Sequence, residues 1–194
     1  MKTFLPAARL FIALTVLTGV IYPLVVTGIA KAVFLKQANG SLVTVHGKVV
    51  GSELLAQRFG GDNYFWARPS AGDDGTNYAT VASSASNLGP TSSKLADAAS
   101  SHIAVFRSAN GLATNAPVPA DMVFASGSGL DPHISPEAAR LQIGRVAGAR
   151  KFSPEQKQKL STLVEQSIEP PQLGFLGEPR VNVLKLNLAV DSLK

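Results

Sequence analysis

From Leu10 to Ala30 the chain runs LFIALTVLTGVIYPLVVTGIA, 21 residues without a charge, bracketed by Arg9 and Lys31. As a helix this run spans roughly 32 Å, against about 30 Å for the hydrocarbon core of a bilayer. A helix satisfies its backbone groups internally, so the run can cross lipid. Pro23 removes one donor near its middle and predicts a kink. The alternative is a cleaved export signal, with Lys2 and Arg9 as its basic start and Ala30-Lys31-Ala32 as a small-x-small site. The length exceeds the usual apolar core of such signals, which favours an uncleaved anchor over residues 1–36, its helix about 10–33.

Charge separates this segment from the rest. Residues 1–36 carry Lys2, Arg9, Lys31 and Lys36 and no acid, whereas residues 37–194 carry 14 basic and 13 acidic side chains. The nearly neutral remainder lacks the basic stripe that nucleic acid requires, which excludes that class of partner. With no cysteine, disulfides, thiolate metal sites and Cys nucleophiles are excluded too. Lys2 and Arg9 tip the helix slightly towards an amino terminus inside, which places residues 37–194 outside the cytoplasm.

Residues 37–194 read as one mixed α/β (α+β) soluble domain. Asn39-Gly40 is a turn, and Leu42–Val45 and Val49-Val50 are short strands around Gly47. Ser52 is expected to cap a short helix carrying Leu54, Leu55 and Phe59. The aromatics Tyr64, Phe65 and Trp66 read as core or a packed strand. Residues 70–93 read as a long loop, with Asp73-Asp74 solvated.

A helix over about 93–109 follows, with Leu95, Ala99, Ile103 and Phe106 on one face and His102 beside them. Asn110-Gly111 closes it. Ser135-Pro136-Glu137 starts a second helix, burying Ala139, Ile143, Val146 and Ala147. Gly144 and Gly148 thin its opposite side for a close neighbour, and Arg140, Arg145 and Arg150 point towards acids or a partner. Ser153-Pro154 with Gln156 makes a capping box for a third helix, lined by Leu160, Leu163, Val164 and Ile168 and stopped by Pro170-Pro171. Residues 181–188 read as a central strand, apolar on both faces.

The polar stretch Phe124–Arg140, FASGSGLDPHISPEAAR, holds Ser126, Ser128, Asp131 and His133. These residue types raise a serine hydrolase reading. Neither serine sits in a Gly-x-Ser-x-Gly elbow, and Pro132 restricts Asp131 and His133. The competing reading is a glycine turn that leads into a capped helix. His46, His102 and His133 lack metal-ligand spacing, and no phosphate-cradling glycine loop is present.

Composition and spacing stop there. The segments LTGVIYPLVVTGIA, QANGSLV, YFWARPSA, SNLGPTS, ASGSGLDPHISPEAARLQ and GEPRVNVLKLNLA, in this order, closely resemble the C subunit of the Kdp potassium-transporting ATPase family. That resemblance implies a non-catalytic accessory subunit in the cell inner membrane. Its implied partners are a pore-forming potassium-binding subunit, a P-type ATPase subunit and a small hydrophobic subunit, with the domain periplasmic. It also implies a chaperone role that raises the ATPase subunit's affinity for ATP, with no tightly bound cofactor and ATP met only in that complex. The family's Ser-Gly-Gly-Ser-Asn-Leu element aligns with Ser83-Ser84-Ala85-Ser86-Asn87-Leu88, so Ser83, Ser86, Asn87 and Gly89 become nucleotide-contact candidates. Ser84 and Ala85 stand where the family has glycines, which removes the backbone freedom useful for approaching phosphate. Arg68, Ser126, Ser128, Asp131 and His133 become partner-contact candidates. No catalytic residue and no metal site is implied. An exported binding protein with a cleaved signal remains the third reading.

Overall fold

The computed structural model describes residues 3–71 and 83–193. The chain forms two compact units, Met1–Ser52 and Glu53–Lys194.

The first unit begins with α1 (Phe4–Val16), a π-helical turn (Leu17–Ile21) and α2 (Tyr22–Val33). Together they make a 30-residue helix, the one helix among the described residues long and apolar enough to cross a membrane. Pro23 has no N–H to give to the carbonyl four residues back. The ladder widens just before it, and the Tyr22 N–H reaches Leu17 O instead. Such one-turn π-bulges relieve a local mismatch inside an α-helix.

The short α3 (Leu35–Ala38) leads to a hairpin of β1 (Leu42–Val45) and β2 (Lys48–Ser52). His46 and Gly47 form its turn with φ of +48° and +77°, the pairing that matches the twist of two antiparallel strands. Ser52 does not cap a helix. Its hydroxyl donates to Gly40 O at 2.7 Å, closing the hairpin, and residues 53–60 contain no helix. The hairpin therefore lies in the same unit as the long helix, beyond the compositional break at residue 36.

In the second unit α4 (Ser93–Asn110) ends at Gly111 in the left-handed region, φ +62°. The signals in the sequence also start α5 (Pro136–Ala149) and α6 (Pro154–Gln166). The Ser135 hydroxyl accepts from Ala138 N–H, and Ser153 with Gln156 forms the capping box. A small antiparallel sheet has the order β3 (His133–Ile134), β5 (Arg180–Asn182), β4 (Ile168–Glu169). Ile168 is thus a strand residue opposite Val181 rather than part of the α6 face, and α6 stops before the prolines.

The predicted long central strand is corrected to three residues. β5 is central, but at Asn182 the chain turns into α7 (Val183–Asp191). The Asn182 carboxamide oxygen accepts from Lys185 N–H as an N-cap. Val183, Leu186, Asn187 and Val190 then share one buried face at helical spacing. The core gathers Phe65, Phe106, Val146, Leu160, Val181 and Leu186, all but fully buried.

A Cβ added at Gly144 or Gly148 would meet no atom within 4 Å, so no described element packs close on that side of α5. Asp73-Asp74, with the rest of residues 72–82 of the predicted 70–93 loop, lie outside the described residues.

Candidate functional site

The polar stretch is organised around Asp131. Its Oδ1 accepts the backbone N–H of His133 at 3.0 Å, an Asx turn that suits a residue two before a strand. Its Oδ2 accepts from Arg68 Nη1 at 2.8 Å, and His133 Nδ1 lies 3.4 Å from Oδ1. Burial by itself would raise the Asp131 pKa. The hydrogen bonds from the side chain and backbone of His133 and from Arg68, with the Arg68 charge, outweigh it and hold the value down to about 2. Asp131 is therefore an ionised hub that ties β3 to the segment carrying Arg68.

The serines do other work. Ser126 is buried, and its Oγ accepts from Asp131 N–H at 3.4 Å and lies 3.5 Å from Ser128 Oγ. Ser128 Oγ accepts from Leu130 N–H at 3.1 Å. Neither hydroxyl hydrogen-bonds to His133, so the nucleophile–base contact of a hydrolase is not formed. The hydroxyls serve backbone groups of a turn, as Ser and Thr do in non-helical loops.

Two of the candidate groups meet. Ser83 Oγ donates to Ser128 O at 2.9 Å, and Ser70 Oγ donates to Gly129 O at 2.7 Å. Gly129 has φ +69°, and a Cβ there would stand 2.6 Å from Ser84 O. The glycine is required both by conformation and by the close approach of the 83–84 backbone. Ser86, Asn87 and Gly89 lie farther along this segment, all exposed. Asn87 is left-handed at φ +51°.

Arg68, Asp131 and His133 also line an open cleft of about 750 Å³ whose other walls include Asp121, Glu137, Glu178 and Arg180. Asp121 was not legible as a site residue. Its carboxylate accepts the Ser135 N–H at 2.6 Å and the Ser135 hydroxyl at 3.1 Å, so it orients the cap of α5. Arg180 pairs with Glu169 at 3.2 Å, which in turn lies 3.4 Å from Lys185 Nζ. A second cleft of about 500 Å³ shares Arg68 and is walled by Trp66, His102 and Phe106. His102 Nδ1 is 2.7 Å from Val123 O, a packing role.

The arginines of α5 divide. Arg140 and Arg150 pair with Glu165 and Asp191, as acids were expected to meet them. Arg145 is instead buried, with its guanidinium 4.0 Å over the Trp66 ring. It donates to Asp62 O, Tyr64 O, Asn110 Oδ1 and Gln142 Oε1. Burial lowers its pKa to about 10, against the opposing charge of Asp62.

Comparison with known proteins bears on the whole chain. The family model described as "K+-transporting ATPase, c chain" matches residues 4–192. A protein of Dechloromonas aromatica named "Potassium-transporting ATPase KdpC subunit" is 51% identical over 194 residues, covering 100% of this chain and 99% of its own length. Identically named proteins of Rhodospirillum rubrum and Methylococcus capsulatus are 53% and 51% identical over 191 residues. Both cover 98% of this chain, and 96% and 98% of their own lengths.

Proposed function

Because this chain belongs to the family of the c chain of K+-transporting ATPases, we propose that it is a non-catalytic accessory subunit of an ATP-driven potassium uptake pump. The observation that carries this reading is the extent of the match, which runs through both the membrane-length helix and the folded domain. The sequence holds no Asp-Lys-Thr-Gly phosphorylation motif and no Thr-Val-Gly-Tyr-Gly filter motif, so hydrolysis and conduction fall to other subunits. Those partners are a pore-forming potassium-binding subunit, a P-type ATPase subunit and a small hydrophobic subunit.

In this reading the 4–33 helix stays uncleaved in the inner membrane, with its amino terminus cytoplasmic and the domain periplasmic. The domain then stabilises the pump and covers its potassium entrance. The welding of Arg68, Asp131 and His133 supports a scaffold role, since ion-paired and hydrogen-bonded side chains hold a surface in one shape. Proteolysis of sealed inside-out and right-side-out vesicles tests the placement. Cleavage of the domain only in right-side-out vesicles is expected; cleavage only in inside-out vesicles reverses it.

A second proposal, nucleotide contact in the assembled pump, is favoured by one feature. The segment 83–89, exposed but for half-buried Ala85, carries serine hydroxyls beside Asn87, whose left-handed backbone is the state that glycine adopts most readily. If Ser83, Ser86, Asn87 and Gly89 touch ATP, Asn87→Ala weakens labelling of the complex by a photoreactive ATP analogue at this subunit. Equal labelling removes that role. A periplasmic domain meets no ATP pool, so the vesicle experiment bears on this proposal as well.

A further inference from the structure

Between β4 and β5 the chain runs Pro170-Pro171-Gln172-Leu173-Gly174-Phe175-Leu176-Gly177, eight residues without a charge. Its three large apolar side chains face outward: Leu173 is 83% exposed, Phe175 74% and Leu176 50%. The loop is nonetheless well ordered by its own backbone. Gln172 and Leu176 exchange two hydrogen bonds of 2.9 Å, and the Gly174 and Phe175 N–H groups donate to Pro171 O and Gln172 O. Leu173 sits at φ +54° and Gly174 at φ +83°. A left-handed conformation costs about 1 kcal/mol or more at a non-glycine residue. Here it lifts a leucine to the tip of the loop, where nothing among the described residues of the domain covers it.

Exposed apolar residues grouped on one rigid turn mark a contact surface. Two occupants are conceivable in a membrane-anchored chain, lipid and protein, and the surrounding charge separates them. Loops that enter an anionic bilayer surface carry Lys or Arg and interfacial Trp or Tyr. This loop has none of these and is flanked by Glu169 and Glu178. Arg180 is tied to Glu169. The loop continues directly into Glu178, Pro179 and Arg180, which form a wall of the cleft that also holds Asp121, Asp131 and Glu137. That cleft has four carboxylates against two guanidiniums, and both arginines are already in ion pairs with acids.

We propose that the 171–177 loop docks the domain onto a protein subunit of the pump, inserting Leu173, Phe175 and Leu176 into an apolar pocket rimmed by basic side chains that face the acidic cleft. Because the loop is already ordered, binding forfeits little conformational entropy. The proposal rests on the accessory-subunit reading.

The chain has no cysteine, so one introduced thiol reports one position. Phe175→Cys in the full chain is labelled with a maleimide alone in detergent, in neutral and anionic lipid vesicles, and in the complex with the other subunits. Lys157→Cys, on the exposed side of α6, is the control. Labelling at 175 is expected to slow at least tenfold on assembly, with little change at 157 and little slowing in vesicles alone. An unchanged rate on assembly, or slowing no greater than at 157, overturns the proposal. Equal slowing in vesicles without partners overturns it in favour of lipid. In addition, Leu173→Ser with Phe175→Ser should cut the retained subunit at least fivefold while its thermal unfolding stays put; full retention overturns the proposal. If the wild-type chain never joins the complex, the accessory-subunit reading fails; if it joins while position 175 stays open, only this inference does.

Discussion

The carboxamide of Asn187 holds both backbone groups of Phe65. Its Oδ1 accepts the Phe65 N–H at 2.8 Å and its Nδ2 donates to the Phe65 carbonyl at 2.9 Å. Both residues are buried, and 122 positions separate them in sequence. The side chain acts as the neighbouring strand that residues 64–66 lack. Gln142 does the same for the Trp66 N–H at 2.7 Å.

Replacing Asn187 with Ala leaves a buried N–H and a buried C=O unpaired. Each costs about 1–3 kcal/mol, so Asn187→Ala should destabilise the domain by about 2–6 kcal/mol. Denaturant unfolding followed by circular dichroism measures it. A loss under about 1 kcal/mol would mean that water or a shifted side chain replaces the carboxamide.

The Asp131 hub makes stability depend on acid. Its pKa lies near 3.8 unfolded and about 2 folded. The contribution is complete above pH ~4 and disappears as pH falls towards 2, with a magnitude of about 2 kcal/mol. Asp131→Asn should lower stability at pH 7 and flatten the fall between pH 4 and 2. A variant as steep as the parent in that window would place the acid sensitivity elsewhere.

Gly129 joins two segments. Gly129→Ala introduces a Cβ at 2.6 Å from Ser84 O on a backbone with φ +69°. The expected cost is about 2 kcal/mol. Amide hydrogen exchange should speed up in the 83–92 segment and remain unchanged in α6, since α6 shares no contact with this turn in the hydrogen-bond network of the described residues.

Arg145 is a structural cation. Arg145→Lys keeps the charge but loses the planar fork, whose Nη1 serves Asp62 O and Tyr64 O while Nε and Nη2 reach Asn110 and Gln142. A destabilisation of about 2–3 kcal/mol is expected, from carbonyls left unpaired. Trp66 is the only tryptophan, so its fluorescence reports the lost stacking directly. An unchanged emission spectrum would show that lysine recovers the contact.

The legible parts of the fold are those governed by local rules. The anchor run, the His46-Gly47 hairpin, the Ser135 and Ser153 caps and the Gly111 stop each act over a few residues. The misread parts are decided at long range. Residues 181–188 alternate well enough for a strand, and only the Asn182 cap with the 183, 186, 187 and 190 spacing reveals α7. Ser52 has the chemistry of a cap, but Gly40 O claims its hydroxyl. The burial of Arg145 follows from carbonyls at 62 and 64, more than 80 residues away, which no local pattern announces. Within the candidate site the turn chemistry of Asp131 was readable, whereas its pairing with Arg68 and the contact of Ser83 with Ser128 needed the folded chain.

An anchored subunit of a potassium pump travels with its partners. Affinity purification of the full chain from gently solubilised membranes, followed by mass spectrometry of what accompanies it, tests this most directly. A pore subunit and a P-type ATPase subunit are expected in fixed ratio to the chain, and lost when residues 1–36 are replaced by a cleavable export signal. A chain that purifies alone, while the pump remains assembled and transports potassium without it, is no subunit of that pump.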